Sequence, residues 1–251
     1  MPKMIPVATS EEVNIHSPYD GRYAFYNSPY PAHKLSTGLD IFPQLDFGEK
    51  APSPVDGEVV MIKRVKAPKG RRFVASKDDV VMVIRSEENR ERVVKILHVD
   101  PVVDVGQGIR AGEDLGLLLR SGYYGFGTGA HMHIEVRKPS DPIRARGGYP
   151  LERILQVEES PELNHLRGRV TMSRMERTFI KLEGMNRNGL QGRSGGINLL
   201  LDGGIPVYGW LGAHYEDRPG SKFIELAGEP IAEIISLDER SCIARCLDFS
   251  I

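Results

Sequence analysis

Between Gly38 and Val136 the chain is a succession of short β-branched runs, and that recurrence restricts it to an all-β fold. Gly57-Glu58-Val59-Val60-Met61-Ile62, Val80-Val81-Met82-Val83-Ile84 and Arg92-Val93-Val94-Lys95-Ile96-Leu97 each have strand length. Turns rich in Gly, Pro, Asp and Lys separate them. Runs of this kind, bounded by such residues, pair as an antiparallel sandwich or barrel. The spacing predicts a helix over Pro150–Val157, where Leu151, Ile154 and Leu155 share a helical face and Pro150 suits a first turn.

Residues 1–30 carry Tyr19, Tyr23, Phe25, Tyr26 and Tyr30 interleaved with Pro18, Gly21 and Pro29. This pattern reads as loops with one short strand, packed on the first domain or forming one wall of a groove. The first domain is expected over 31–157. The polar stretch Glu158-Glu159-Ser160-Pro161 reads as a linker. Beyond it, strand-like runs return at Arg169–Met172, Thr178–Leu182, Ile197–Leu201, Lys222–Leu226 and Ile231–Ile235, with turns at Gly203-Gly204 and Pro219-Gly220. A second, smaller β domain is therefore expected over 162–251. Its histidines, His165 and His214, stand alone in sequence and read as structural residues.

A chain of 251 residues is long enough for one large domain or two small ones. Its formal net charge of -1 argues against a dominant nucleic-acid or membrane-surface role, which needs clustered positive charge. The basic run Lys63–Arg72 reads as a solvated hairpin tip or a feature steering an acidic substrate. No apolar run is long enough to span a bilayer. Met1–Val7 does not have the pattern of a signal peptide, so the expected location is cytoplasmic. The two cysteines, Cys242 and Cys246, read as buried thiols in a reducing compartment or as a disulfide.

The chemistry concentrates in His131-Met132-His133, which runs into Ile134-Glu135-Val136-Arg137. On a strand, residues i and i+2 point to the same face, so the two imidazoles converge where a divalent metal or a developing negative charge could sit. Asp40 lies in the short apolar run Gly38-Leu39-Asp40-Ile41-Phe42, and His98 ends the run Ile96-Leu97-His98. The glycines at 125, 127 and 129 do not form a nucleotide loop, because a strand follows where a helix N-terminus is needed. The adjacent Tyr123-Tyr124 reads as packing or groove lining.

Ala51–Val60 and Val105–Gly116 each resemble half of the hybrid motif shared by lipoyl and biotinyl domains. The fuller resemblance is to the M23 zinc metallopeptidases of the LytM and lysostaphin type, over residues 31 to 143. It rests on Gly38-Leu39-Asp40-Ile41, Ile96-Leu97-His98 and Gly129-Ala130-His131-Met132-His133-Ile134-Glu135-Val136-Arg137. The resemblance implies an M23-like barrel-sandwich domain (a duplicated hybrid motif) followed by a smaller β-rich domain. It implies Zn2+, with Asp40 and His133 as ligands and His98 and His131 as catalytic residues, acting on a peptide or peptidoglycan-like substrate. The family's first ligand histidine stands four residues before the aspartate. Here Ser36 occupies that position, and the nearest histidine is His33, the third ligand implied. The same residues are compatible with two other functions: an inactive M23-like binding module, and a histidine phosphocarrier of the glucose-specific type using His98 and His131.

Overall fold

Every regular element but one is a strand in the computed structural model, which describes residues 1–43, 46–154, 157, 164–183, 189–203 and 208–247. The fold class is all-β, as the strand pattern predicts. The chain divides into one unit of Met1–Ala24 with Tyr30–Leu155, and a second of Phe25–Pro29 with Gln156–Ile251.

The first unit opens with β1 (Met4–Ser10), β2 (Val13–Pro18) and β3 (Arg22–Ala24), where the sequence predicts only one strand. The β1–β2 reversal runs through Glu11 and Glu12, both at positive φ (50° and 62°). Such a two-residue turn normally announces itself with Asn-Gly or Asp-Gly, and two glutamates give no such signal. The chain continues through α1 (Pro31–Lys34), β4 (Leu39–Phe42), β5 (Lys50–Pro52), β6 (Gly57–Lys66), β7 (Asp78–Ser86) and β8 (Val93–Leu97). It ends with β9 (Val99–Pro101), β10 (Gly108–Ile109), β11 (Asp114–Leu118), β12 (Met132–Arg137) and β13 (Glu152–Arg153).

A seven-stranded sheet in the order β10-β6-β7-β8-β12-β4-β3 carries the site; β5-β11-β9 and β13-β1-β2 form two smaller sheets. The central strands are buried on both faces. In β7, Val80, Met82 and Ile84 fill one side, while Val81 and Val83 pack with Val93, Val60 and Met61 on the other. Burial of each such side chain stabilises the fold by about 1.5–3 kcal/mol. Among the described residues of the stretch Pro150–Val157, where a helix is expected, none forms. Glu152 and Arg153 pair instead with Thr9 and Ala8 of β1, and Leu151 and Arg153 are buried in a two-residue alternation. Sheet pairing over this stretch overrides the local 3.6-residue pattern.

The second unit holds a hairpin of β14 (Gly168–Ser173) and β15 (Thr178–Leu182), then β16 (Gln191–Ser194), β17 (Ile197–Asp202), β18 (Trp210–His214), β19 (Phe223–Leu226), β20 (Glu229–Leu237) and β21 (Ser241–Cys246). The last six close into a barrel in the order β16-β17-β18-β21-β20-β19, which removes exposed sheet edges. Leu199, Leu211, Ala213, Ile224, Ala232 and Ala244 belong to its apolar core.

Residues 25–29 group with this unit, whereas the sequence places all of 1–30 on the first domain. The Phe25 amide donates to Asp202 Oδ2 at 2.8 Å, and the Tyr26 hydroxyl donates to Ser241 Oγ at 2.9 Å. The Tyr26 ring lies over Gly212, where an added Cβ would sit 2.0 Å from it. Cys242 and Cys246 are free thiols on β21. Four residues of strand separate them by about 13 Å, too far for a disulfide. The linker read at Glu158–Pro161 lies outside the described residues.

Candidate metal centre

Strand register assembles the site. In the β4–β12 ladder, Asp40 stands directly opposite His133. Directly opposed side chains on one face lie within reach of each other, and His133 Nδ1 is 2.8 Å from Asp40 Oδ1. Along β12, Met132, Ile134 and Val136 alternate with His133, Glu135 and Arg137, and every residue of the strand is buried. The polar face of β12 is therefore a line of ionisable groups. On its other side β12 pairs with β8, which places Leu97 opposite His133 and brings His98 to the end of the neighbouring strand.

His33 reaches the site by a different device. Pro31 opens the one-turn helix α1, and the chain then reverses at Ser36, which has φ 54°. The Thr37 amide donates to the Ala32 carbonyl at 2.8 Å and the Ser36 amide to the His33 carbonyl at 3.3 Å. That pair of bonds is a Schellman ending, with Ser36 as its left-handed residue. Ser36 thus turns the chain, and His33 points its Nε2 to within 3.3 Å of Asp40 Oδ1. The ligand atoms of His33, Asp40 and His133 lie within 4.8 Å of one another, and all three residues are buried.

The other two histidines flank this cluster. His131 Nδ1 is 2.9 Å from the Gly129 carbonyl, so it carries the proton, while Nε2 lies 3.3 Å from Asp40 Oδ2. His98 lies edge-on to His131, with ring centroids 5.4 Å apart. Tyr124 contacts both rings, at 4.9 Å and 4.8 Å, and its hydroxyl donates to the His131 carbonyl. His98 Nδ1 lies 2.6 Å from Asp79 Oδ2.

Charge separates the two histidines of the His-x-His pair. Burial pushes His131 down to about 4, with the neighbouring His98 and His133 adding to the fall against Asp40. Burial also opposes the charged form of His133, but hydrogen bonds to Asp40 and to Glu135 override it and raise His133 to about 9. Burial likewise opposes ionisation of Asp40, yet the imidazoles of His131, His33 and His133 hold its carboxyl well below the usual range.

The sequence alone gives no role to the residues behind His133 and His98. Glu135 accepts from His133 Nε2 (3.1 Å) and from Lys95 Nζ (2.6 Å), and Arg137 donates to its other oxygen. Opposed by burial, the bonded His133 and Lys95 hold Glu135 down to about 2. The signal for Glu135 was its place two residues beyond His133 on the same strand face. For Asp79 no motif signals the contact; only the β7–β8 pairing brings it to His98.

The family described as "Domain of unknown function (DUF8155) N-terminal domain" matches residues 11–153. No curated protein matches the chain. Among solved structures, a mutant of the catalytic domain of the prophage-encoded M23 protein EnpA from Enterococcus faecalis is 20% identical, with a TM-score of 0.31, over 45% of this chain and 72% of that one. The solution structure of lysostaphin is 19% identical, with a TM-score of 0.33, over 57% of this chain; the match spans 53% of the lysostaphin chain.

Proposed function

We propose that this chain, which belongs to the family of the DUF8155 N-terminal domain, is an M23-like zinc-dependent hydrolase of peptide bonds. The observation that carries the reading is the convergence of His33, Asp40 and His133, brought together from three separate elements.

The donor set fits zinc. Two imidazoles and a carboxylate suit a borderline-soft ion, and tetrahedral bonds of about 2.0–2.2 Å set ligand atoms roughly 3.3–3.5 Å apart. His33 Nε2 and Asp40 Oδ1 are 3.3 Å apart, and His133 Nδ1 sits closer to the same oxygen, at 2.8 Å, the distance of a hydrogen bond that a bound ion would open. His133 Nδ1 faces an oxygen of Asp40 that can only accept, so a cation or a proton must lie between them. Glu135 holds the far nitrogen of His133, as carboxylates behind metal-bound histidines do.

When bound, a zinc with three protein ligands lowers the pKa of its water to about 7 and polarises the scissile carbonyl. His131 is neutral at pH 7 and has its Nδ1 proton committed to Gly129, so its Nε2 lone pair takes the proton lost by the attacking water. Once protonated, His131 stabilises the charge developing on the carbonyl oxygen and returns its proton to the leaving amine, with His98 beside it as the partner acid–base residue. A phosphoryl group on His131 Nε2 would lie against the Asp40 carboxylate, which disfavours the phosphocarrier reading.

The test is zinc content by elemental analysis, alongside turnover of a quenched fluorogenic peptide mixture with randomised cores. His133→Ala is expected to lose both metal and activity, and His131→Ala to lose activity while keeping metal. A His131→Ala protein that cleaves at the original rate would sink these roles. Zinc bound without any turnover would favour the binding module.

A further inference from the structure

We propose that Asp79, backed by Ser121, is a positioning residue that fixes His98 with its free lone pair on Nε2, ready to accept a proton. This rests on the hydrolase reading above and adds a residue to it.

Asp79 is 2% exposed, and both its oxygens are engaged. Oδ1 accepts from the amides of Val80 (2.7 Å) and His98 (3.2 Å). Oδ2 accepts from the Ser121 hydroxyl (2.6 Å) and faces His98 Nδ1 (2.6 Å). The hydrogen bond to His98 and its charge, with those to Ser121 and Val80, lower the Asp79 carboxyl against the opposing effect of burial. An ionised carboxylate cannot donate, so His98 must place its proton on Nδ1. The lone pair is then on Nε2.

A merely structural role does not call for a charge here. One carbonyl oxygen of an asparagine would accept from both amides equally well. Burying a carboxylate is costly unless its charge is used. The one side chain whose ring the charge orients is His98, whose Nδ1 faces the carboxylate at 2.6 Å. The backbone supports the same reading. His98 has φ 70°, in the left-handed region that residues with a Cβ enter at a cost. Asp79 holds that residue at two points, its amide and its ring, while the Leu119 amide holds its carbonyl.

The chain distinguishes Asp79 from its neighbour. Asp78, one position earlier, forms a 2.8 Å surface pair with Lys66 and is free of such duty. Two consecutive acids at the start of β7 thus point to opposite faces, one to solvent and one to His98.

The test uses the zinc-loaded, 15N-labelled full chain at pH 8 and reads the His98 tautomer from long-range 15N–1H correlations, assigned by their loss in His98→Gln. The wild type is expected to carry the proton on Nδ1. In Asp79→Asn the carboxamide NH2 replaces the oxygen facing Nδ1, and the tautomer is expected to reverse. On the fluorogenic peptide mixture, kcat should fall by about 10²- to 10⁴-fold, with KM and zinc per chain unchanged. Wild-type kcat in Asp79→Asn overturns the proposal. So does a wild-type His98 carrying its proton on Nε2, a result that holds even if the variant fails to fold. If the wild type binds zinc and cleaves nothing, the hydrolase reading fails. The tautomer then decides alone whether Asp79 positions His98.

Discussion

His33 Nε2 lies 3.3 Å from Asp40 Oδ1, although the seven chain steps between them would span roughly 23 Å if extended. One helical turn and the left-handed Ser36 close that distance. Removing the His33 imidazole leaves two ligands, too few for a stable zinc site. We expect near-stoichiometric zinc in the purified protein and its loss in His33→Ala, measured as zinc per chain. Equal zinc in both proteins would remove His33 from the site.

Protonation of the metal-free protein follows from the opposed shifts of two neighbouring histidines. His133 rises to about 9 from an ordinary value near 6.5. Its contribution is fully present below pH 6.5 and is lost as pH rises through 9, on the order of 3 kcal/mol in all. His131 falls to about 4, so its contribution is present above pH 6.5 and is lost as pH drops towards 4. Stability of the metal-free chain should therefore peak near pH 6.5. With zinc bound, His133 has already given up its Nδ1 proton, and the decline between pH 6.5 and 9 should vanish. Urea unfolding of chelator-treated and zinc-loaded protein at pH 6.5 and 9 checks this. A metal-free chain equally stable at both pH values would contradict the carboxylate pairing of His133.

The strands were legible because β-branched runs and turn residues repeat along the chain, and sheet pairing reinforces that local preference. The juxtaposition of Asp40 and His133 is a consequence of register, which His131-Met132-His133 implies only for its own face. His33 was harder to place, since a one-turn helix has no periodicity to read and Ser36 replaces the expected histidine. Asp79 and Lys95 were invisible, because β7 and β8 read as plain apolar runs whose polar members could equally have faced solvent. At Pro150–Val157 local helical spacing misled, because pairing with β1 decided the conformation.

Gly38 is a steric gate for His133. A Cβ there would lie 2.7 Å from His133 Cε1 and 2.8 Å from the Ala32 Cβ, both in buried surroundings. Neither neighbour can give way without moving His133 or α1. Gly38→Ala is expected to destabilise the protein by about 1–3 kcal/mol and to weaken zinc binding, measured by competition with a chromogenic chelator. Wild-type zinc affinity in this variant would show that the ligands tolerate displacement.

Glu135 is the hinge of the buried charge network behind the site. Lys95, Glu135 and Arg137 are at most 1% exposed, and the carboxylate bonds both cations. Glu135→Gln keeps an acceptor for His133 Nε2 but removes the negative charge. It leaves the buried Lys95 ammonium facing a neutral amide, while Arg137 keeps its pair with Asp141. Breaking a buried ion network from one side costs about 3–5 kcal/mol, and we expect that loss in urea unfolding at pH 7. The neutralised pair Lys95→Met/Glu135→Gln should recover much of it, because the unmatched ammonium goes with the carboxylate. If the single variant loses less than about 1 kcal/mol, the network does not hold the sheet together, and the role of Glu135 reduces to orienting His133.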